Sequence, residues 1–455
     1  MGIYDAALNQ VAWPLWEKWR GRRSGEIDEF LAQSQWWSLE ELRALQDRGV
    51  ERLVAHCALN VPFYRERFEQ AGVSPAEVKS VGDLDSLPVV RRHELRNAGA
   101  SWKAENLPPP TIIKETSGSS GVPLRFGYDS ASEAFRRSVT RRAYGWAGER
   151  LGVPALHFWG VDAGYPSLRG ALRSRADNLI RRRKYLSCAV LDERTLSMAV
   201  DIVARMRPKV LVCYALAGAA LARYVLERGC RDWPDITVIT GAEPLLKADR
   251  ASLECAFGPV FETYGCRETM LLASECECHS GLHVPMENVI VEVLVCNPGQ
   301  LPRPAAPGEQ GEVVVTDLNN LTMPFVRYAV GDLAVAGASE RCQCGRGAAK
   351  IEAIVGRTTE TIRNGAGDPV NTVAFDFLFD ELAANVEAFQ VTQKRGGDVV
   401  LRIAQRVDAP LSRRHLDQIE AGLKQLVTGV PVRLELTDKI LRTGAGKHRL
   451  IVVEK

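Results

Sequence analysis

The chain has 455 residues, enough for more than one domain, and 46% of them are hydrophobic, an ordinary share for a packed core. Its 58 basic and 56 acidic residues are interspersed and leave a net charge of +2, so there is no electrostatic case for a nucleic-acid partner. No segment reaches the apolar length of a membrane span, and eleven cysteines without an apolar leader predict reduced thiols in the cytoplasm, not a disulfide framework.

Residues 1–105 read as helices joined by Pro-containing turns, and Trp13–Trp19 is amphipathic but charged, a pattern for packing on protein. Ile112–Arg125 reads as strand, small-residue loop, strand. From about 130 to 290, helical stretches alternate with short apolar runs such as Ala155–Trp159, Val210–Tyr214 and Ile236–Thr240. That alternation predicts α/β layering with largely parallel strands. The basic run Arg181–Lys184 suits a solvated helix face or helix end. Val289–Val295 and Gly311–Thr316 flank a Pro/Gly-rich turn and predict a β-hairpin or a small β-barrel-like part. After Gly356-Arg357 a βαβ-like pattern begins and runs to Val432–Leu436. The expected fold class is therefore α/β. A large N-terminal domain of layered sheets over 1–356 would precede a small α+β domain over 357–455.

Five separated segments carry the chemistry. Thr116-Ser-Gly-Ser-Ser-Gly-Val-Pro123 offers unhindered backbone N–H groups and four hydroxyls, which suits a polyphosphate, although no Gly-Lys-Ser/Thr follows as in a Walker loop. Glu262-Thr-Tyr-Gly-Cys-Arg-Glu268 sets an aromatic ring, a glycine and a carboxylate close together. Pro324-Phe-Val-Arg-Tyr-Ala-Val-Gly-Asp332 is an apolar run ending in an acceptor. Gly356-Arg357 with Glu360, and Arg442-Thr-Gly-Ala-Gly-Lys447, complete the set.

In this order and at these separations the set resembles the adenylate-forming superfamily of acyl-CoA ligases, luciferases and peptide-synthetase adenylation domains. Leu53–Arg65, Gly72-Val, Asp83–Pro88, Glu275–His283 and Cys342–Arg346 narrow the likeness to the phenylacetate-CoA ligase branch, with its deazaflavin-coenzyme synthetase-like and capsule-biosynthesis relatives, from about residue 40 onward. The resemblance implies ATP, Mg²⁺ and CoA as reactants and a mobile C-terminal lid hinged near Glu360. Thr116, Ser117, Gly118, Ser119, Ser120 and Gly121 would hold the β- and γ-phosphates. Glu268 would hold Mg²⁺. Tyr264 and Gly265 would lie against the adenine, bordered by Gly241, Ala242 and Glu243. Asp332, with Arg357 nearby, would accept from the ribose hydroxyls. Lys447 would reach the α-phosphate and the attacking carboxylate. His157, Trp159 and Tyr214 are candidates for the acid pocket, and the Arg181–Lys184 run would also suit the ribose phosphate of CoA.

Each residue also has a plainer reading. Glu268 could complement a helix dipole, Asp332 could be a turn residue, Lys447 a surface lysine, Tyr264 and His157 core side chains, and Arg327 a structural ion-pair partner. Three positions depart from the pattern: Val122 replaces a lysine common before the proline, Arg267 replaces a small hydroxylic residue, and Glu360 stands where aspartate or lysine is usual. Cys276, Cys278, His279 and His283, with Cys342 and Cys344 about 60 residues on, could build one tetrahedral zinc site. The resemblance favours Cys276, His283, Cys342 and Cys344, with Cys278 and His279 as substitutes, and a structural role.

The expected function is ATP-dependent activation of a carboxylic acid, aryl or arylacetic by branch, followed by thioester formation with CoA. A carrier protein, an amine or an inorganic acceptor is the alternative, and a catalytically silent nucleotide-binding relative the further one. No membrane partner is expected, and a homodimer stays open.

Overall fold

The structure is a computed structural model. It describes residues 24–116, 124–160, 176–296, 301–338, 340–357, most of 362–440, and 451–454. Trp13–Trp19, the loop residues Ser117–Pro123, Glu360 and Lys447 lie outside the described residues.

The chain opens on helices, as its sequence predicts: α1 (Ser24–Ser34), α2 (Leu39–Asn60), α3 (Pro62–Ala71) and α4 (Arg92–Ala98). Ser38 and Glu41 start α2 by exchanging bonds: Ser38 Oγ accepts from the Glu41 N–H at 3.2 Å, and the Glu41 carboxylate accepts from the Ser38 N–H at 2.7 Å. Pro62 occupies the first turn of α3, where its missing N–H costs nothing. β1 (Ile112–Glu115) and β2 (Arg125–Tyr128) pair antiparallel, Ile112 opposite Tyr128 and Glu115 opposite Arg125. α5 (Ser130–Trp146) follows, capped by Asp129, which accepts from the Ser132 N–H at 2.7 Å.

β3 (Ala155–Trp159), β4 (Arg183–Ser187), β5 (Val210–Tyr214) and β6 (Thr237–Gly241) alternate with α6 (Glu193–Met206), α7 (Ala215–Arg228) and α8 (Lys247–Ala256). The strands run parallel in the order β6-β5-β3-β4. β3, β5 and β6 are buried almost throughout and read as short apolar runs rather than alternating ones, whereas β4 at the edge is largely exposed. Arg181 and Arg182 form the turn after a helical segment and Arg183-Lys184 begin β4, so the basic run spans a helix end and a strand.

The chain continues with β7 (Val260–Cys266), β8 (Met270–Glu275), β9 (Leu282–His283), β10 (Val289–Val295), β11 (Arg303–Pro304), β12 (Gln310–Asp317), β13 (Tyr328–Ala336) and β14 (Lys350–Arg357). β10 and β12 pair antiparallel, as the hairpin reading predicts. The barrel alternative is corrected: these strands lie in one open run, β11-β10-β12-β13-β14-β9-β8-β7, with no closed barrel among the described residues. Beneath it, Trp102, Phe126, Phe325 and Tyr328 make edge-on and tilted ring contacts at 5.0–5.7 Å.

β15 (Val386–Gln393) pairs antiparallel with β16 (Val399–Gln405). α9 (Arg413–Leu426) then leads to β17 (Val432–Thr437), parallel to β16, and β18 (Ile451–Val453) lies parallel to β15. β16-α9-β17 is the βαβ unit of the sequence pattern, and Ile419 and Leu423, four apart on α9, bury against Phe389, Leu401 and Ile403. The chain divides into two compact units, residues 1–152 with 261–354 and residues 153–260 with 355–455.

Candidate functional site

In the first unit, Arg267, Glu268 and Thr269 form the turn between β7 and β8. Glu268 is thus not the helix-start residue of its plainer reading. The strand pairing slips by one residue between Tyr264 and Gly265, and a Cβ on Gly265 would lie 2.1 Å from the Met270 carbonyl oxygen. Only glycine fits there.

The turn presents a held carboxylate. Glu268 is 5% exposed, and its Oε1 accepts from the Tyr328 hydroxyl at 3.0 Å. Burial, reinforced by the Glu268 charge, pushes the Tyr328 phenol upward, so it stays protonated and donates. Arg136 of α5 donates to the Glu268 backbone carbonyl, forms an ion pair with Asp317, and lies 4.3 Å from the Tyr128 ring centre. Tyr264, itself buried, donates its hydroxyl to Asp332 Oδ2 at 2.9 Å, and Asp332 lies within β13, not in a turn. Cys266 is pushed upward by burial first and then by both Glu268 and Asp332, so the two carboxylates act on one region. Thr116 anchors the root of the loop: its Oγ1 accepts from the Leu124 N–H at 3.0 Å and from the Arg92 guanidinium. Arg327 takes its structural reading, paired with Glu292 at 2.8 Å and donating to the Leu87 carbonyl at 2.5 Å.

In the second unit, Gly241-Ala242-Glu243 follows β6. Ala242 has φ 68°, strained for a residue with a Cβ, and Glu243 Oε2 accepts from the Leu216 N–H at 3.2 Å in the first turn of α7. Trp159 and Tyr214, at the ends of β3 and β5, meet edge to face at 4.4 Å. His157 lies 4.6 Å from the Tyr185 ring and is pushed down to about 3 by burial first, then by Arg183 and Arg181. Its imidazole is neutral at physiological pH. Arg357 ends β14, and its side chain lies outside the described residues.

The sulfur-rich cluster belongs to the first unit. The ligand atoms of Cys276, His283, Cys342 and Cys344 all lie within 4.8 Å of one another. Cys276 Sγ is 3.7 Å from Cys342 Sγ, and Cys344 Sγ is 3.5 Å from His283 Nε2. A tetrahedron with Zn–S arms of about 2.3 Å and Zn–N arms of about 2.0–2.1 Å has sulfur–sulfur edges of about 3.8 Å and mixed edges of about 3.6 Å. The donor set fits zinc. The other ring nitrogen, His283 Nδ1, lies 3.3 Å from the Ala348 carbonyl, which would fix the tautomer. Burial works against the Cys342 thiolate, but bonds from Ser280, the Cys344 backbone and His283 hold it at about 5. Cys278 and His279 stand outside the cluster: Cys278 offers its N–H to Cys276 Sγ, and His279 turns to Glu275 at 3.3 Å. Arg346 closes over the knuckle, its guanidinium 4.9 Å from the Trp36 ring and 4.4 Å from that of Trp146. Gly347 permits this fit, since a Cβ there would meet the Trp37 carbonyl at 2.3 Å.

Sequence reasoning missed Tyr328, although it sits inside the motif ending at Asp332. It also missed Arg136 and Arg92, for which no local signal exists.

No protein-family profile matches the chain. Curated phenylacetate-coenzyme A ligases do. That of Thermus thermophilus is 28% identical over 335 residues, covering 71% of this chain and 72% of its own, and that of Escherichia coli K12 is 26% identical over 318 residues, covering 65% and 67%. The chain is thus similar to phenylacetate-coenzyme A ligases over about two thirds of its length. Its fold agrees. A 2-hydroxyisobutyryl-CoA ligase solved in its postadenylation state with R3-HIB-AMP superposes with TM-score 0.75 at 20% identity, over 93% of this chain and 92% of that one. The o-succinylbenzoate CoA synthetase of Bacillus subtilis, solved with its acyl-adenylate intermediate, gives 0.50 at 16% identity, over 74% and 67%. The chain therefore has the fold of these acyl-adenylate-binding CoA ligases. Among its described residues no helix is long and apolar enough to cross a membrane.

Proposed function

We propose that this chain activates a carboxylic acid with ATP, releasing pyrophosphate, and passes the acyl group from the adenylate to CoA. The observation that carries the reading is the Glu268 carboxylate, held by Tyr328 on a turn that Arg136 anchors and acting on the same region as the Tyr264–Asp332 pair. The curated relatives are CoA ligases, and both solved neighbours named above hold acyl-AMP species.

The chemistry asks for charge neutralisation and alignment, because an acid anion must attack the α-phosphorus of another anion. Glu268 would hold Mg²⁺, which supplies positive charge on the phosphate oxygens. Tyr328 keeps that carboxylate oriented. Asp332, which accepts from the Tyr264 hydroxyl, would take the ribose hydroxyls. Tyr264, Gly265 and the segment Gly241–Glu243 would border the adenine, and Thr116 to Gly121 the β- and γ-phosphates. Lys447 would stabilise the charge that develops as the adenylate forms, with Arg357 near the ribose. Trp159, Tyr214 and neutral His157 would shape an apolar aromatic pocket, suited to an aryl or arylacetic acid. The separate core of the C-terminal four-stranded sheet supports reading residues 357–455 as the small lid domain. Cys276, His283, Cys342 and Cys344 would bind a structural zinc, since four protein ligands leave no open position.

Pyrophosphate release with ATP and Mg²⁺, over a panel of aryl, arylacetic and short-chain acids with and without CoA, tests the reading. Acid-dependent release ending in a CoA thioester supports it. Release without thioester moves the acceptor to a carrier protein or an amine, and silence across the panel favours a binding protein.

A further inference from the structure

The four parallel strands of the second unit use their two faces differently. On one, Leu156, Phe158, Leu211 and Val238 form a single core with Val203 of α6 and Leu221 of α7. Residues in register across a parallel sheet share a face, so the pairing also fixes what the opposite face carries. An inner row there holds Tyr185, His157, Val212 and Ile239. Two residues further along each strand, the outer row holds Ser187, Trp159, Tyr214 and Gly241, with the Trp159 and Tyr214 rings in contact. The outer row lies at the carboxyl ends of the strands, where open α/β sheets bind their ligands.

His157 puts an imidazole in the inner row. It is 7% exposed, and its Nε2 is enclosed yet makes no hydrogen bond among the described residues. Two other histidines do use a ring nitrogen: His56 Nε2 lies 2.9 Å from the Leu321 carbonyl, and His283 Nδ1 lies 3.3 Å from that of Ala348. Leaving a buried nitrogen unpaired costs stability, so packing alone does not account for His157. Burial first, then Arg183 and Arg181, keep the ring neutral, so Nε2 accepts in one tautomer and donates in the other. The same two guanidinium charges disfavour an ammonium group beside it. A hydroxyl suits either tautomer, because it both donates and accepts. At about 3.3 Å of rise per residue, His157 lies roughly 7 Å below Trp159, a depth that an aryl ring can span.

We propose that His157 Nε2 is a specificity contact for a hydroxyl on the ring of the acid, remote from its carboxylate, so that the preferred substrates are hydroxy-substituted aryl or arylacetic acids. The inference rests on the acid activation proposed above and adds what the aromatic pair leaves open. Trp159 and Tyr214 suit any flat ring, whereas His157 tells rings apart by their polar substituent. Discrimination of this kind is steep, because an acid without the hydroxyl leaves the buried nitrogen unpaired. A methyl ether at the same position fails differently, since it cannot donate and brings extra volume.

The test uses the full chain, wild type, His157→Leu and His157→Gln, with benzoate, phenylacetate, their meta- and para-hydroxy derivatives and the matching methyl ethers. Binding of each acid is read without ATP by calorimetry and by tryptophan emission, so the contact is tested even if no acid is ever activated. Turnover is read as kcat/KM for acid-dependent pyrophosphate release. The wild-type chain is expected to favour at least one hydroxy acid over both its parent and its methyl ether by about tenfold or more. His157→Leu should bring that ratio close to one, and His157→Gln should keep part of it. The thermal midpoint of ligand-free His157→Leu is expected to be unchanged or higher, because an unpaired nitrogen gives way to an apolar side chain, and this separates lost recognition from misfolding. Equal affinity of the wild-type chain for parent and hydroxy acids would overturn the assignment, with no variant needed. A preference that persists in His157→Leu would overturn it as well. A His157-dependent preference in binding, without pyrophosphate release from any acid, would instead overturn the ligase reading and leave the hydroxyl contact standing.

Discussion

At the residue scale, the candidate site depends on a few buried polar contacts whose removal should be measurable one at a time. Tyr328→Phe deletes the bond to Glu268 with little change of shape. A hydrogen bond to a charged group contributes about 1.5–3 kcal/mol, so adenylation should slow by about tenfold or more and the Mg²⁺ concentration for half-maximal rate should rise. An unchanged Mg²⁺ requirement would remove Tyr328 from the metal's support. Arg136→Met leaves Asp317 charged and unpaired in the core, which should cost about 3–5 kcal/mol in urea unfolding, whereas Arg136→Met with Asp317→Leu should regain most of it. His157 gives a pH signature. Its folded value of about 3 lies below the ordinary 6.5, so the unfolded chain binds the proton first and stability falls as pH drops from about 6.5 toward 3. Comparing unfolding midpoints at pH 7 and pH 5, His157→Asn should lose more of its stability-versus-pH slope than any other single histidine variant; an unaltered slope would show that His157 is not held neutral by the fold.

At the scale of elements, the Cys/His knuckle ties β8, β9 and the segment before β14 to the α1–α2 connection. The cysteines and His283 converge there, and Arg346 lies over Trp36 and Trp146 on the far side. Purified protein should carry about one zinc per chain by elemental analysis, and chelation should lower the thermal midpoint and change tryptophan emission, because Trp146 lies 5.9 Å from the His283 ring. Cys344→Ser should reproduce both effects, while Cys278→Ser, outside the cluster, should reproduce neither. Much at this scale was legible from the chain. The short apolar runs at 155–159 and 210–214 became parallel strands as written, since a strand buried on both faces shows its length and little else. The run expected at 236–240 is shifted by one residue to 237–241. Hairpin and barrel stayed alternatives in the chain because hairpins of an open sheet and of a barrel share the same alternation, and closure depends on which distant strand lies at the edge.

At the scale of the whole molecule, the decisive test is Lys447→Ala. Adenylate formation should fall by orders of magnitude if that lysine stabilises the transition state. An unchanged rate would sink the assignment. Sequence by itself determined the α/β class, the likeness to phenylacetate-CoA ligases and the six Cys and His residues from which a metal set could be drawn. These are properties of local pattern and of motif order. Only the tertiary structure decided that four of those six converge, that Tyr328 serves Glu268, and that Arg136 binds a carbonyl 132 positions away and a carboxylate 181 positions away. Such contacts leave no period in the chain, because a buried charge is placed by whichever distant partner can neutralise it, and that partner is chosen only when the strands have packed.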